Sequence, residues 1–552
     1  MKKGFTLIEL LAVIIILAVI ALIATPIVLN VVDSAKKSAR KSSVAGFADA
    51  MKLGVSDYMF QNSGELPTID EDFQKKYNSK GERVICEGVY STDSYGIVLH
   101  NCKVGTDTTN YCFAKGNHYA CDDTTYNSML EYAKNGVKPE VTVQPNAPEL
   151  LDNMIPVKYE TDHWVYANTS QEWYNYDQKE WANAIVLKSG VTKTVGQTIA
   201  EDDIALWYVW IPRYKYTIFN GNNGSIAVQE INVVFEKGTA KTGTVTCTTS
   251  TNGTGTPSSS ETCTDSTNGN IVDGTSTYTH PAFTFGSKEL TGIWVGKFEN
   301  STSDAACLAT TNAANCNKNT HEIIIKPNIS SLRVVSISNF FTAIQNVKTT
   351  YGISNGDSHM MKNMEWGATA YFKQSKYGLG TTDIGINNNS NFITGCGASA
   401  GSGSSSTCNA YNTINGMKAS TTGNVYGIYD MNGGTWEYVT GNMVDSSNAF
   451  YSSNAGFSST PDSKYYDSYT YDTSNTSHGR GKLGDATKET LETFENTIGG
   501  ENKYVSFTVS NLAWFIRGGF YSNNIHSDIL AFHSSDGNSY SNNGSRSVLV
   551  SE

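Results

Sequence analysis

Charge is scarce in this chain. Asp, Glu, Lys and Arg make up only 17% of the 552 residues, and acids outnumber bases to give a net charge of −12. Phosphate neutralisation needs a basic face, so this balance disfavours nucleic acid as the main ligand, and none is expected. The nine histidines are scattered and form no HExxH pattern, which removes the usual zinc-hydrolase signature. There is no CxxC and no phosphate-cradling GxxxxGKS/T, so neither a dithiol redox pair nor a P-loop is read. No cysteine follows Cys408. His280, before Pro281, reads as a turn residue, and Glu489, Glu492 and Glu495 read as one solvated helix face. No catalytic residue, metal site or cofactor is expected.

What is abundant is polar but uncharged. Thirty-one tyrosines accompany many Asn, Ser, Thr and Gly residues, an extracellular character. The ten cysteines fall into five close pairs: Cys86/Cys102, Cys112/Cys121, Cys247/Cys263, Cys307/Cys316 and Cys396/Cys408. An even count in local pairs reads as disulfides, which persist in oxidising compartments. The pairing rests on proximity, and other connectivities stay open. The length predicts two to four domains.

The N-terminus reads MKKGFTLIELLAVIIILAVIALIATPIVLN. From Leu10 to Leu29 it carries no charge, enough to cross a hydrocarbon core of about 30 Å. Glu9 would cost roughly 2.5–3.5 kcal/mol near a bilayer centre unless paired. The run Lys2-Lys3-Gly4-Phe5-Thr6-Leu7-Ile8-Glu9-Leu10 resembles the class III signal of type IV prepilins. The resemblance implies cleavage between Gly4 and Phe5 by a prepilin peptidase, N-methylation of Phe5, and assembly with other pilin subunits. Glu9 would then meet the new terminal amine of a neighbouring subunit. The protein would sit in the inner or cytoplasmic membrane before assembly and in a cell-surface pilus after it. A plain membrane anchor is the alternative. Lys36, Lys37, Arg40 and Lys41 outweigh Lys2 and Lys3, which by itself places the far side in the cytoplasm, but the cysteines argue against that orientation.

Beyond Asp33, Val44, Phe47, Met51 and Val55 recur at three- and four-residue steps, so the helix should continue as an amphipathic element to about Tyr58. The whole would be roughly 80 Å long at 1.5 Å per residue. Gly64 and Pro67 should end it. Residues 81–121 read as short strands separated by turns, and residues 124–133 have helical spacing. The expected division is leader 1–4, pilin helix 5–60, disulfide-stapled β domain 61–137, linker and Trp/Tyr-rich β module 138–204, and a large domain 205–552. Within the last, residues 238–274 read as a surface hairpin and Ile337–Thr349 as a helix. The Trp and Tyr residues of the β-rich half are read as core more readily than as a sugar platform.

Three anchors lie near the C-terminus: Asn424–Val439 (NVYGIYDMNGGTWEYV), Trp514–Phe520 (WFIRGGF) and Gly544-Ser545-Arg546. Together they resemble the domain of formylglycine-generating enzymes and sulfatase-modifying factors, a variant of the C-type lectin fold. The resemblance implies an α+β domain with Trp436, Glu437, Arg517, Gly518, Gly519 and Arg546 as scaffold. The family's oxidase chemistry resembles a copper–thiolate mechanism near the C-terminal end, and here no thiol remains there to ligate a soft metal. The family's Gly-Asn-x-Trp-Glu calcium motif becomes Gly433-Gly434-Thr435-Trp436-Glu437, which lacks a side-chain oxygen at its second position.

Residues 520–544 contain no Lys, Arg or Glu. Their Ser, Asn, Asp, His, Tyr and Gly match a recognition loop of rigid aromatics and short adaptable polar groups. Asparagine codons altered only at adenines yield these residue types, and the stretch resembles the variable region of diversity-generating retroelement proteins. That resemblance nominates Tyr521, Asn523, Asn524, Ile525, His526, Asp528, Phe532, His533, Ser534, Asp536, Asn538 and Tyr540 as ligand-binding, with Ile529–Ala531 facing the core. An ordinary polar solvent loop is the alternative. The expectation is a minor or tip pilin displaying a lectin-fold receptor for an unidentified protein, glycan or phage. The other readings are a structural major pilin and an exported modifying enzyme.

Overall fold

The computed structural model describes residues 33, 35–55, 57–58, 69, 71–77, 83–92, 96–135, 144–217, 230–243, 245–251, 257–265, 269–270, 277–308, 315–445, 447, 449–451, 455–469, 481–487 and 506–552. Gly4, Phe5 and Glu9, the apolar run, Gly64, Pro67 and Glu489–Glu495 lie outside the described residues. The chain divides into two compact units, Met1–Val141 and Thr142–Glu552. Both mix helices with largely antiparallel sheets, an α+β architecture.

In the first unit the residues from 35 to 55 are helical. The stripe read from the sequence is buried: Val44, Phe47, Met51 and Val55, with Ala48, pack on Val84, Val89, Ile97, Leu99, Val104, Tyr111 and Phe113. Those residues belong to strands Val84–Thr92, Gly96–Val104 and Tyr111–Ala114, which with Asn117–Tyr119 form a four-stranded antiparallel meander. Alternate strand residues point to opposite faces. The other face therefore carries Val98, Cys112 and Ala114 against Tyr126, Met129 and Leu130 of helix Thr124–Asn135. The sheet is thus sandwiched between two helices. Cys86–Cys102 and Cys112–Cys121 are disulfides, and Arg40 ties the long helix to Asp107 at 2.9 Å.

The second unit is built on a seven-stranded antiparallel sheet. Its order is Gly356–Met360, Ser547–Ser551, Gly292–Gly296, Ile204–Pro212, Asn183–Leu187, Ile155–Glu160 and His163–Tyr166. This corrects the expected boundary at residue 205, because the Trp/Tyr-rich module supplies the last three strands of the sheet that Ile204–Pro212 continues. The expected linker is also stitched down at its end. Asn146 donates to the carbonyls of Gly238 and Thr291 at 2.8 and 2.9 Å and accepts from the Gly238 N–H at 2.7 Å. A second sheet joins Trp436–Met443, Asp467–Tyr469, Trp514–Arg517, Phe532–Ser535 and Asn543–Ser545. All nine tryptophans are buried, so none is available as a sugar platform. Ile337–Gln345 is helical as read, and a separate turn, Val347–Thr350, follows it. Cys307–Cys316 and Cys396–Cys408 are bonded. Cys247 and Cys263 stand opposite one another in a hairpin of strands Val245–Thr251 and Pro257–Asp265.

Candidate recognition face

Two buried arginines hold the segment that the sequence singles out. Arg517 ends strand Trp514–Arg517, and its guanidinium donates to Asn363 Oδ1 and to the Asp485 carbonyl at 3.1 and 3.3 Å. It stacks between Trp366 and Phe532, 5.7 and 5.5 Å from the two ring centroids. Burial lowers it to about 10, with Asp485 pulling the other way. Arg546 precedes the last strand and makes a two-pronged ion pair with Glu437. It also donates to the carbonyls of Gly296 and Tyr429 at 2.7 and 2.9 Å. Glu437 is therefore spent on Arg546. Burial raises its carboxyl, and Arg546 opposes that rise.

Gly434 has no room for a side chain. Its backbone lies at φ +65°, and an added Cβ would strike the Glu299 carboxylate. Glu299 accepts the Thr435 N–H at 2.7 Å and the Ser331 hydroxyl. Burial, then Asp430 and Glu437, push it well above the usual carboxyl range. Gly519, at φ +77°, likewise has no room for a side chain beside Ser527.

Between these anchors the segment sorts into tips and supports. Asn524, Ile525, Asn538 and Tyr540 are exposed, Ile525 by 57% and Tyr540 by 42%. Tyr521, His526, Asp528, His533 and Asp536 are half-buried. Asn523, Phe532 and Ser534 are buried, which corrects their nomination as ligand contacts. Asn523 instead closes its own loop by accepting the Phe520 N–H at 2.8 Å. Phe532 packs edge-on against Phe507 and Phe515, and Ser534 turns toward Ser506. Ile529, Leu530 and Ala531 face the core.

Each tip rests on a fixed turn. Asp536 accepts from the Asn538 backbone and side chain at 2.9 and 2.7 Å and from the Tyr540 hydroxyl at 3.1 Å. Beneath it the Tyr438 hydroxyl donates to the Asn538 carbonyl at 2.7 Å. Tyr521 stands edge-on to Phe392, 4.8 Å between centroids. Two supports escaped the sequence reading. Arg333 lies 3.9 Å over the Phe392 ring and donates to the Ser541 carbonyl at 2.6 Å. The loop stapled by Cys396–Cys408 brings Gly401 against Ile525. Its backbone is pinned by Asn388 to the Gly403 carbonyl at 2.6 Å and by reciprocal bonds between Ser405 and residues 388 and 390. No local pattern marks either feature, since both contacts join residues far apart in the chain.

Other chemistry-bearing groups are not among the nominated residues. Gly397–Gly401 reads GASAG, yet it sits in the stapled loop rather than on a strand-to-helix elbow, and Ser399 Oγ meets Lys418 Nζ at 3.3 Å. Asp304, Cys307 and His321 cluster, but Cys307 is held in its disulfide. A cleft of about 590 Å³ lined by Ile155, Val186, Lys188, Lys193 and Tyr351 contains none of the nominated residues. At one sheet edge buried His359 lies between Asp357 at 3.2 Å and Glu365 at 2.9 Å.

Residues 1–25 match the prokaryotic N-terminal methylation motif. The match supports a type IV pilin-like signal, with the peptidase processing, pilin assembly and cell-surface location that this signal implies. No curated protein matches the chain. Among the described residues no helix is long and apolar enough to cross a membrane.

Proposed function

We propose that the protein is a minor or tip subunit of a type IV pilin-like filament whose second unit is a non-enzymatic receptor on a lectin-like frame. One observation carries this reading. Within 520–544 the exposed side chains Asn524, Ile525, Asn538 and Tyr540 stand on turns fixed by Asn523, Asp536 and Tyr438. Exposed aromatic and short polar groups on a rigid base suit recognition of a surface ligand. Residue types reachable from asparagine codons point to diversification of the same stretch.

The test replaces Asn524, Ile525, Asn538 and Tyr540 together by Ala and measures adhesion of cells bearing intact filaments. Adhesion should fall while filament number and thermal unfolding stay unchanged. Undiminished adhesion sinks the receptor reading and favours a structural pilin. Sequencing the codons for Trp514–Arg546 across a population tests diversification separately. Substitutions confined to adenines, with Arg517, Gly518, Gly519 and Arg546 constant, are expected.

A further inference from the structure

Ile414 projects into solvent, 81% exposed, shortly after the loop stapled by Cys396–Cys408. Among the described residues of the second unit, the large exposed hydrophobic side chains are Val195, Ile414, Ile525 and Tyr540. A single exposed apolar side chain is ordinary, but the last two are tips of the recognition face and Ile414 adjoins it. We propose that the stapled loop and the Ile414 turn form the second half of one binding surface, and that its partner is a protein presenting an apolar, weakly charged patch. This rests on the proposed receptor role.

The two halves touch. Gly401 lies so close to Ile525 that a Cβ added to it would come within 3.0 Å of the isoleucine side chain, and Gly403 faces Asn524. On the other side of the loop, Lys418 Nζ donates to Ser399 Oγ at 3.3 Å and to Asn415 Oδ1 at 2.9 Å. That lysine couples the loop to the turn bearing Ile414. The turn closes on itself, because the Thr413 hydroxyl donates to the Ala410 carbonyl at 2.7 Å and accepts the Gly416 N–H at 3.1 Å. Gly397 packs on Gly416 and is tied to Asn409 by bonds in both directions. The chain from 397, beside the Ile414 turn, to 401, beside Ile525, spans at most about 14 Å. Both tips therefore fit within the roughly 800 Å² that one side of a standard protein interface covers.

The chemistry selects the partner. No Asp, Glu, Lys or Arg stands between Asp383 and Lys418, and 520–544 adds only Asp528 and Asp536. The loop exposes Ser404, Ser406 and Thr407, short hydroxyls that adapt to neutral donors and acceptors. Such a surface has no cation to hold a phosphate or an acidic polymer. A sugar ring packs its C–H face on a flat exposed aromatic, yet every tryptophan is buried and the tips at 414 and 525 are aliphatic. Aliphatic tips amid uncharged polar groups match the core and rim of a protein interface. The staple and the pinned turn also leave little loop freedom to lose on binding.

The full-length chain is immobilised from detergent and panned with phage displaying random peptides. Enriched peptides should carry few charges and bind equally at low and high salt. Ile414→Asp and Ile525→Asp should each weaken that binding about tenfold or more, with the thermal midpoint of the second unit unchanged. Loss with Ile525→Asp but not with Ile414→Asp overturns the joint surface and leaves the receptor role standing. Lys- or Arg-rich peptides whose binding fades with salt overturn the assigned partner, as does binding to a glycan array with no peptide enriched. Peptides indifferent to both substitutions overturn the proposal, and so does a chain that enriches none. Adhesion of cells bearing the 520–544 variant then decides the receptor role on its own.

Discussion

The two units bury their sheets in different ways. In Met1–Val141 a four-stranded meander has one helix on each face, and both disulfides lie in or beside its strands. In Thr142–Glu552 the disulfides Cys307–Cys316 and Cys396–Cys408 pin loops, while tryptophans and buried arginines fill the centre. Size explains the contrast. A small domain buries too little surface to offset chain entropy and leans on crosslinks, whereas a large one supports a core of aromatic bulk. The larger unit can also carry buried charge, provided each charge is partnered.

The largest expected effect lies in that charge. Arg546→Met leaves Glu437 buried without its partner and should destabilise the second unit by about 3–5 kcal/mol, read as a shift in its denaturant midpoint with no change in the first unit. Next is the crosslink in the smaller unit. Replacing Cys86 and Cys102 by Ala opens a loop whose ends are 16 residues apart. It should cost about 3 kcal/mol, again by denaturant titration of the full chain. A loss shared equally by both units would break the comparison.

A third prediction concerns pH. Burial alone would lower His359, but Glu365 and Asp357 together raise it above the ordinary imidazole value. Its stabilising charge is fully present below the unfolded pKa and is lost as pH rises through the raised folded pKa. The thermal midpoint of the second unit should therefore fall as pH rises through that window, and His359→Gln should flatten the fall. Asp357 acts at the other end. Burial would raise it, yet its hydrogen bond and charge pairing with His359 bring it to about 2. Its contribution is present above the unfolded carboxyl range and is lost as pH falls toward that value. The smallest expected effect is at the tips. Ile525→Ala and Asn538→Ala should stay within about 0.5 kcal/mol of the parent in stability. A larger loss would mark these side chains as supports rather than contacts.

Much of the first unit was legible. Val44, Phe47, Met51 and Val55 form a helical stripe because period 3.6 is a local property of the chain, and the strands of 84–119 alternate for an equally local reason. Proximity suggested the pairs Cys86–Cys102 and Cys112–Cys121, which the structure bonds. In the second unit alternating polarity marked 138–204 as holding a Trp/Tyr-rich β module, but it could not say which sheet its strands join. That choice is made by partners far along the chain. The same limit separates Asn524 and Ile525, which proved to be tips, from Phe532 and Ser534. A stretch of uniform polarity does not reveal which of its residues turns inward.

What the sequence determined by itself was the export and assembly signal, the amphipathic helix, the even count of closely spaced cysteines and the absence of Lys, Arg and Glu from 520–544. Each depends on residues close together along the chain. Only the tertiary structure decided that residues 155–187 share one sheet with the C-terminal strand, and that Arg333 supports Phe392. It alone set Gly401 of the stapled loop against Ile525. Such contacts join positions scores of residues apart, and burial, not spacing, brings them together.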